Sequence, residues 1–175
     1  VGAETGRAFD SAGVVFVRGQ ALNPVRQVEF SRCFGDLEIH FLKQFLHPDH
    51  PEILVISNIV ENGRPVGQAD AGRYWHSDLT YAVAPSRGSV MCAIEVPIND
   101  SGVALGDTCF ASAALAYEAL DSNIKQRPDG LQAVHRFDAR SRRRVSTLEA
   151  AEGPTATQAG CVHPAGARTP QTGQP

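Results

Sequence analysis

The sequence of 175 residues is long enough for one domain with a hydrophobic core, and its 42% apolar and 20% charged residues are typical of globular proteins. The net charge of -3, and the lack of any apolar stretch near the roughly 20 residues of a membrane span, argue against nucleic-acid and membrane partners. The cysteines contain no C-x-x-C pair, which argues against a zinc knuckle and favours free thiols in a reducing, cytoplasmic setting: Cys33, Cys92, Cys109 and Cys161.

The first part of the chain predicts two strands and a helix. Residues 13–19 are an apolar, β-branched run between glycines, which predicts a buried strand. Asn23 is a suitable N-cap and Pro24 a suitable first residue for a helix that Gly35 ends. Residues 53–58 are a second β-branched run, so we expect a second strand there.

The second part predicts further strands, another helix and a segment without periodicity. Residues 61–72 are rich in Gly, Pro and Asp and predict a loop, and residues 89–96 predict a third buried strand. Ser112 can cap a helix, and residues 131–137 predict another strand. Residues 149–175 consist largely of Ala, Gly, Thr, Pro and Gln, which predicts loop or disorder.

The clearest chemical signal is the motif Trp75-His76-Ser77-Asp78. In an extended segment, residues two apart point to the same side, so the imidazole of His76 and the carboxylate of Asp78 can converge on one metal ion. With a second histidine they would form the 2-His-1-carboxylate triad of non-haem iron(II) oxygenases. His47-Pro48-Asp49 repeats the spacing, but it lies in a Pro-rich segment and is interpreted as a solvated turn.

The surroundings of this motif make it more specific. The relevant segments are residues 13–20 (GVVFVRGQ), 34–40 (FGDLEIH), 75–81 (WHSDLTY) and 106–111 (GDTCFA), together with Pro85. In their order and approximate spacing, these segments resemble the taurine/2,4-D dioxygenase family, from Gly13 to about Phe137. The joint resemblance is far more specific than the H-x-D spacing alone.

The resemblance implies a fold that is mainly β with flanking helices (α+β). The expected architecture is a double-stranded β-helix, the cupin-like jelly roll, here incompletely represented. We expect residues 1–140 to form a partial dioxygenase domain. Residues 141–175 are expected to be a poorly structured loop or tail of the same domain.

The resemblance also implies the site residues and the cofactors. His76 and Asp78 match two iron ligands, and Thr108 matches a hydroxyl that hydrogen-bonds 2-oxoglutarate. His40 matches a substrate-contacting position, and Leu79 would lie beside the pocket. The alternatives are a loop histidine at His40, a turn residue at Thr108 and a core leucine at Leu79. Fe(2+), 2-oxoglutarate and O2 are the implied cofactors, and a small organic molecule, a carboxylate or a sulfonate, would be hydroxylated with release of succinate and CO2.

The sequence departs from the family pattern in two places. Extra sequence separates Pro97 from Gly106, where the family has a tight turn. The family's second histidine ligand and its 2-oxoglutarate-binding arginine lie in a Trp-x-Pro-Gly-Asp…His…Arg region, which this sequence does not contain. His135 and His163 are weak substitutes for the missing ligand, so we expect these 175 residues to be poorly active or inactive.

Two other functions stay open on the sequence alone. A jelly-roll binding domain without catalysis would explain the missing half of the metal site. A cupin-like, metal-dependent hydrolase or isomerase would use a similar set of ligands. The identity of the substrate is left open by the sequence, and a homo-oligomer is compatible with it.

Overall fold

The computed structural model describes residues 2–69, 71–72, 74–136 and 160–166. The chain forms two compact units, one drawn from residues 1–76 and 90–111 and the other from residues 77–89 and 112–175. The elements, in chain order, are α1 (Gly2–Ala12), α2 (Pro24–Arg32), a 3-10 turn (Lys43–Phe45), β1 (Val60–Glu61), β2 (Arg64–Pro65), α3 (Ala113–Glu118), α4 (Ser122–Lys125), β3 (Gln132–His135) and β4 (Cys161–Pro164).

The predicted helix after Asn23 is confirmed as α2. The Asn23 side chain accepts a hydrogen bond of 2.9 Å from the Arg26 backbone N–H, and Pro24 begins the helix. The rings of Phe30 and Phe34 meet edge to face with 5.2 Å between centroids. Val28 is 5% exposed, and it is the one buried hydrophobic residue among those that the structure describes. The first unit therefore has a local helical core rather than an extensive one.

The predictions of buried strands at residues 13–19 and 89–96 are wrong for this structure. Neither segment forms a strand, and most of their apolar side chains are exposed, with Phe16 73% and Ile94 96% exposed. Gly13 ends α1 instead of opening a strand, because it adopts φ 74° and its N–H donates to the Phe9 carbonyl at 2.7 Å. A β-branched run favours extended backbone, but a strand also needs a neighbouring strand to pair with.

The predicted strand at residues 53–58 is hydrogen-bonded without forming a regular ladder. Leu54 forms an isolated antiparallel bridge with Leu46. The Val55 N–H donates to the Phe45 carbonyl at 2.8 Å, and the Val55 carbonyl accepts from Gln68 at 2.9 Å. Two other segments of the chain therefore hydrogen-bond to Val55, but residues 53–58 form no regular strand.

A hairpin lies inside the predicted loop at residues 61–72. β1 and β2 pair antiparallel around Asn62 and Gly63, which have φ values of 49° and 76°. Positive φ at both central residues is the geometry of the type I′ turn, for which Asn-Gly is the preferred sequence. The loop prediction is therefore wrong at this point, where the structure has a two-residue turn with a short strand on each side.

The second unit contains α3, α4 and the antiparallel pair β3–β4. Ser112 caps α3 as predicted, because its Oγ accepts a hydrogen bond of 3.2 Å from the Leu115 N–H. β3 confirms the strand predicted at residues 131–137. In the pair, Ala133 is opposite His163 and His135 is opposite Cys161, and these four residues form the less exposed face of the ribbon.

β4 corrects one expectation about the end of the chain. Residues 161–164 were expected to be loop, but they form four antiparallel pairs with β3. These residues form a strand because β3 supplies a hydrogen-bonding partner. The expected domain boundary at residue 140 and most of the tail after residue 141 lie outside the described residues.

The described strands form two separate two-stranded sheets. The flanking helices of the predicted α+β architecture are present, while the expected jelly roll is not displayed by this part of the chain. Among the described residues, no helix is long and apolar enough to cross a bilayer. All four cysteines are free thiols.

Candidate metal and co-substrate site

His76 has a backbone contact that defines which ring nitrogen carries the hydrogen. Its Nδ1 lies 2.6 Å from the Tyr74 carbonyl oxygen, and its side chain is exposed. A carbonyl oxygen can only accept, so Nδ1 must be the donor in this contact. In the neutral ring the lone pair is then on Nε2, which is the form of imidazole that binds a metal ion.

Asp78 has a side-chain contact of its own. The Ser89 hydroxyl donates a hydrogen bond of 2.7 Å to Asp78 Oδ2, and both residues are exposed. Asp78 belongs to the second unit and His76 to the first. Chain connectivity alone keeps their Cα atoms within about 7 Å, since consecutive Cα atoms are about 3.8 Å apart.

The backbone turns immediately after the predicted ligand Asp78. Residues 75–77 have no regular secondary structure, and a turn begins at Asp78, so the expected extended segment stops there. Leu79 has φ 50°, a conformation that costs a non-glycine residue roughly 1–2 kcal/mol. The Ala82 N–H donates to the Leu79 carbonyl at 2.9 Å and closes the turn. Such strain directly beside a predicted ligand is typical of functional segments.

His40 has the opposite backbone contact to that of His76. Its Nδ1 accepts a hydrogen bond of 3.2 Å from the Leu42 N–H, and its ring stacks on Phe41 with 4.4 Å between centroids. In the neutral ring the hydrogen is therefore on Nε2, which makes Nε2 a donor. A half-buried histidine with a donor nitrogen suits contact with an anionic group.

Thr108 lies beyond a small hairpin in the first unit. The extra sequence between Pro97 and Gly106 folds back on itself, with an antiparallel bridge between Ile98 and Ala104. The Asn99 side chain accepts from the backbone N–H groups of the loop, at 3.0 and 2.9 Å. Thr108 follows this hairpin in an exposed, irregular segment, where its hydroxyl can meet a ligand.

No third protein ligand joins His76 and Asp78 among the described residues. In that part of the chain, no group of three or more His, Cys, Asp or Glu side chains is arranged to hold a metal ion. His135 and His163 lie on β3 and β4, with 5.4 Å between ring centroids, and His163 Nε2 contacts the Ala82 carbonyl at 3.0 Å. These contacts give His163 a structural role on the turn that follows Asp78.

The second H-x-D sequence behaves as a turn, as predicted. His47 Nδ1 accepts a hydrogen bond of 3.2 Å from the Asp49 backbone N–H, and the His50 N–H donates to the His47 carbonyl at 3.3 Å. A backbone hydrogen bond therefore uses Nδ1 of the His47 ring. The two H-x-D sequences are distinguished by these contacts and not by their spacing.

An iron(II) ion fits the donors that this chain offers, but only in part. A neutral imidazole nitrogen and a carboxylate are two of the three protein ligands of the facial triad. Partners that orient such ligands are present for both, the Tyr74 carbonyl for His76 and the Ser89 hydroxyl for Asp78. Sequence reasoning missed Ser89, because a hydroxyl 11 residues from its partner gives no pattern in a single sequence.

Comparisons with known proteins agree with the motif. The sequence profile described as "Taurine catabolism dioxygenase TauD, TfdA family" matches residues 2–175. Pentalenolactone F synthase of Streptomyces arenae is 31% identical over 182 aligned positions, which cover 95% of this chain and 58% of that protein. The alpha-ketoglutarate-dependent 2,4-dichlorophenoxyacetate dioxygenase of Cupriavidus pinatubonensis is 35% identical, over 75% of this chain and 48% of that protein.

A more distant relative has a different named substrate. The alpha-ketoglutarate-dependent sulfate ester dioxygenase of Pseudomonas putida is 28% identical over 70% of this chain and 36% of its own length. The chain spans about half the length of the first two relatives. No solved structure matches the chain significantly.

Proposed function

Because the chain belongs to the taurine catabolism dioxygenase TauD, TfdA family, we propose that its activity is that of an iron(II)- and 2-oxoglutarate-dependent dioxygenase. The proposed reaction hydroxylates a small anionic organic substrate and converts 2-oxoglutarate to succinate and CO2. The observation that supports it best is the contact of His76 Nδ1 with the Tyr74 carbonyl, which leaves the ring lone pair on Nε2.

In this proposal His76 and Asp78 hold the metal ion. His76 would bind through Nε2, and the Tyr74 carbonyl would prevent its ring from turning. Asp78 would bind through its carboxylate and offset part of the ion's charge. A bound iron(II) ion would supply the oxidative chemistry, with 2-oxoglutarate and dioxygen as co-substrates.

Thr108 and His40 would position the two organic molecules. A neutral hydroxyl at Thr108 can donate to a carboxylate oxygen of 2-oxoglutarate and limit its rotation. The Nε2–H group of His40 can donate to the acidic group of the substrate, because its Nδ1 is engaged by the Leu42 N–H. Leu79, half-buried in its turn, would supply an apolar contact to the rest of the substrate.

The expected substrate is a small carboxylate, sulfonate or sulfate ester. By their names, one relative acts on 2,4-dichlorophenoxyacetate, an anion joined to an apolar ring, and another acts on a sulfate ester. A hydrogen-bond donor at His40 would suit the anionic group, and an apolar side chain at Leu79 would suit the apolar part.

A binding domain without catalysis is the main rival function. Its support is that no third His, Cys, Asp or Glu completes a metal site within the described part of the chain. With two protein ligands in the described part of the chain, we expect succinate release by these 175 residues to be low. A cupin-like hydrolase or isomerase would need a metal ion but would be indifferent to 2-oxoglutarate.

An anaerobic titration with iron(II) and 2-oxoglutarate tests the proposal. Chelation of the 2-oxo acid to ferrous ion at the protein gives a visible charge-transfer band, which the proposal predicts for the unaltered chain. His76→Ala and Asp78→Ala should each abolish the band. His47→Ala and Asp49→Ala are matched controls from the other H-x-D sequence and should keep it.

The outcomes separate the three functions. A chain with no band, or a band that persists in both His76→Ala and Asp78→Ala, would contradict the dioxygenase proposal. The hydrolase or isomerase would be supported instead if the chain bound zinc or iron through these two residues and its spectrum did not change on addition of 2-oxoglutarate.

A further inference from the structure

The Ser89 hydroxyl has a specific partner in the second unit. Its Oγ donates to Asp78 Oδ2 at 2.7 Å, which is at the short end for a hydroxyl donor and typical of a charged acceptor. The bond links residues 11 positions apart and closes the loop from 78 to 89. Neither the motif nor the family resemblance assigns a role to Ser89.

We propose that Ser89 is a positioning residue for metal binding, a proposal that rests on the function proposed above. A hydrogen bond to Oδ2 limits rotation of the Asp78 carboxylate about its Cβ–Cγ bond. It also draws negative charge from Oδ2. A metal ligand that is oriented in advance loses less freedom when the ion binds.

The backbone around Asp78 is fixed by other contacts. Leu79 and Ala82 close the turn through their own hydrogen bond of 2.9 Å. His163 Nε2 contacts the Ala82 carbonyl at 3.0 Å and links that turn to β4. Removing the Ser89 hydroxyl therefore removes one partner of the Asp78 carboxylate and leaves the turn that places Asp78.

The exposure of the pair argues against a mainly structural role. Both Asp78 and Ser89 are exposed, so water can replace either partner when the bond is lost. Exposed hydrogen bonds of this kind contribute little to fold stability. The orientation of the carboxylate, in contrast, is not restored by water. Loss of the hydroxyl should therefore change metal affinity much more than stability.

Manganese(II) titration of the 175-residue chain, followed by the electron paramagnetic resonance signal of the free ion, tests this role without turnover. Ser89→Ala should weaken Mn(II) binding about tenfold, the lower end of the effect of losing an orienting partner. Ser89→Thr keeps the hydroxyl and should restore binding to within about twofold. Ser101→Ala is the matched control and should have no effect, because Ser101 contacts Asn99 through its backbone N–H.

The design separates failure of this inference from failure of the proposed function. If Asp78→Ala abolishes Mn(II) binding and Ser89→Ala leaves it unchanged, the role of Ser89 is refuted and the site stands. If Ser89→Ala and Ser89→Thr weaken binding equally, orientation by the hydroxyl is also refuted. If Asp78→Ala has no effect on Mn(II) binding, the metal site itself is contradicted and the role of Ser89 falls with it.

Discussion

The segments around His40 and His76 place the same side chain in opposite chemical states. His40 Nδ1 accepts from the Leu42 N–H at 3.2 Å, whereas His76 Nδ1 meets the Tyr74 carbonyl at 2.6 Å. The first contact makes Nε2 a donor, and the second puts the lone pair on Nε2. A neighbouring backbone group thus decides whether a histidine suits an anion or a metal ion.

His47 shows why the comparison matters. It has the H-x-D spacing of His76, but its Nδ1 accepts from the Asp49 N–H, as His40 Nδ1 accepts from Leu42. The H-x-D spacing alone would predict that His47 is a metal ligand, whereas its backbone contact indicates that it is a turn residue. We therefore expect substitution of each of the three histidines to have a different effect on metal affinity and anion affinity.

The largest expected effect is that of His76→Ala on metal affinity. Loss of a direct ligand exceeds the roughly 10–100-fold cost of losing an orienting partner, so Mn(II) binding should weaken by more than about 100-fold. His40→Ala should leave Mn(II) affinity within about twofold, because in this account His40 contacts the substrate and not the ion. Equal losses of Mn(II) affinity in the two variants would contradict the assignment of His76, and not His40, as a metal ligand.

The next largest effect is that of His40→Ala on binding of an anion. A hydrogen bond to a charged group is worth about 1.5–3 kcal/mol, so affinity for 2,4-dichlorophenoxyacetate as a probe should fall at least about tenfold. Isothermal calorimetry of the metal-loaded chain measures this. His40→Gln keeps a donor and should lose less. If His40→Ala left the affinity for 2,4-dichlorophenoxyacetate unchanged, the assignment of His40 to the substrate site would be refuted.

A smaller effect is expected from Asn23→Ala, which tests stability in the unit that contains both histidines. Loss of the cap on α2 should lower the free energy of unfolding by about 1 kcal/mol, measured by urea denaturation. Metal affinity should not change. If Asn23→Ala lowered Mn(II) affinity as much as His76→Ala does, the loss in His76→Ala would reflect a weakened fold rather than a lost ligand.

The smallest effect is expected from His47→Ala. Its side chain contacts its own turn, so both Mn(II) affinity and probe affinity should stay within about twofold of the unaltered chain. A loss of metal binding in His47→Ala would show that H-x-D spacing outweighs the backbone contact. The comparison among the histidines would then have to be abandoned.

The parts of the fold that sequence predicted well depend on neighbours along the chain. Asn23 and Ser112 cap helices because the N–H groups they accept from lie three residues away. Residues 13–19 and 89–96 failed as strands because pairing depends on segments far away in the sequence. The Asn62-Gly63 turn could have been predicted, since its two residues are the preferred pair for a type I′ hairpin.

The residues of the candidate site also divide into those that the sequence could predict and those that it could not. His76 and Asp78 could be proposed from their spacing and from the resemblance of the surrounding segments to a family. The Ser89 contact with Asp78 and the His163 contact with Ala82 could not, because the partners are 11 and 81 residues apart. The ring nitrogens used by His40 and His76 also depend on backbone geometry that the sequence does not specify.

The most direct test of the central claim is a nuclear magnetic resonance measurement of the histidine ring nitrogens, at mildly alkaline pH, before and after addition of zinc(II). The account predicts hydrogen on Nδ1 in His76 and on Nε2 in His40, with the zinc-induced shift confined to Nε2 of His76. Hydrogen on Nε2 of His76, or a zinc-induced shift at His40 or His47 in its place, would contradict the account.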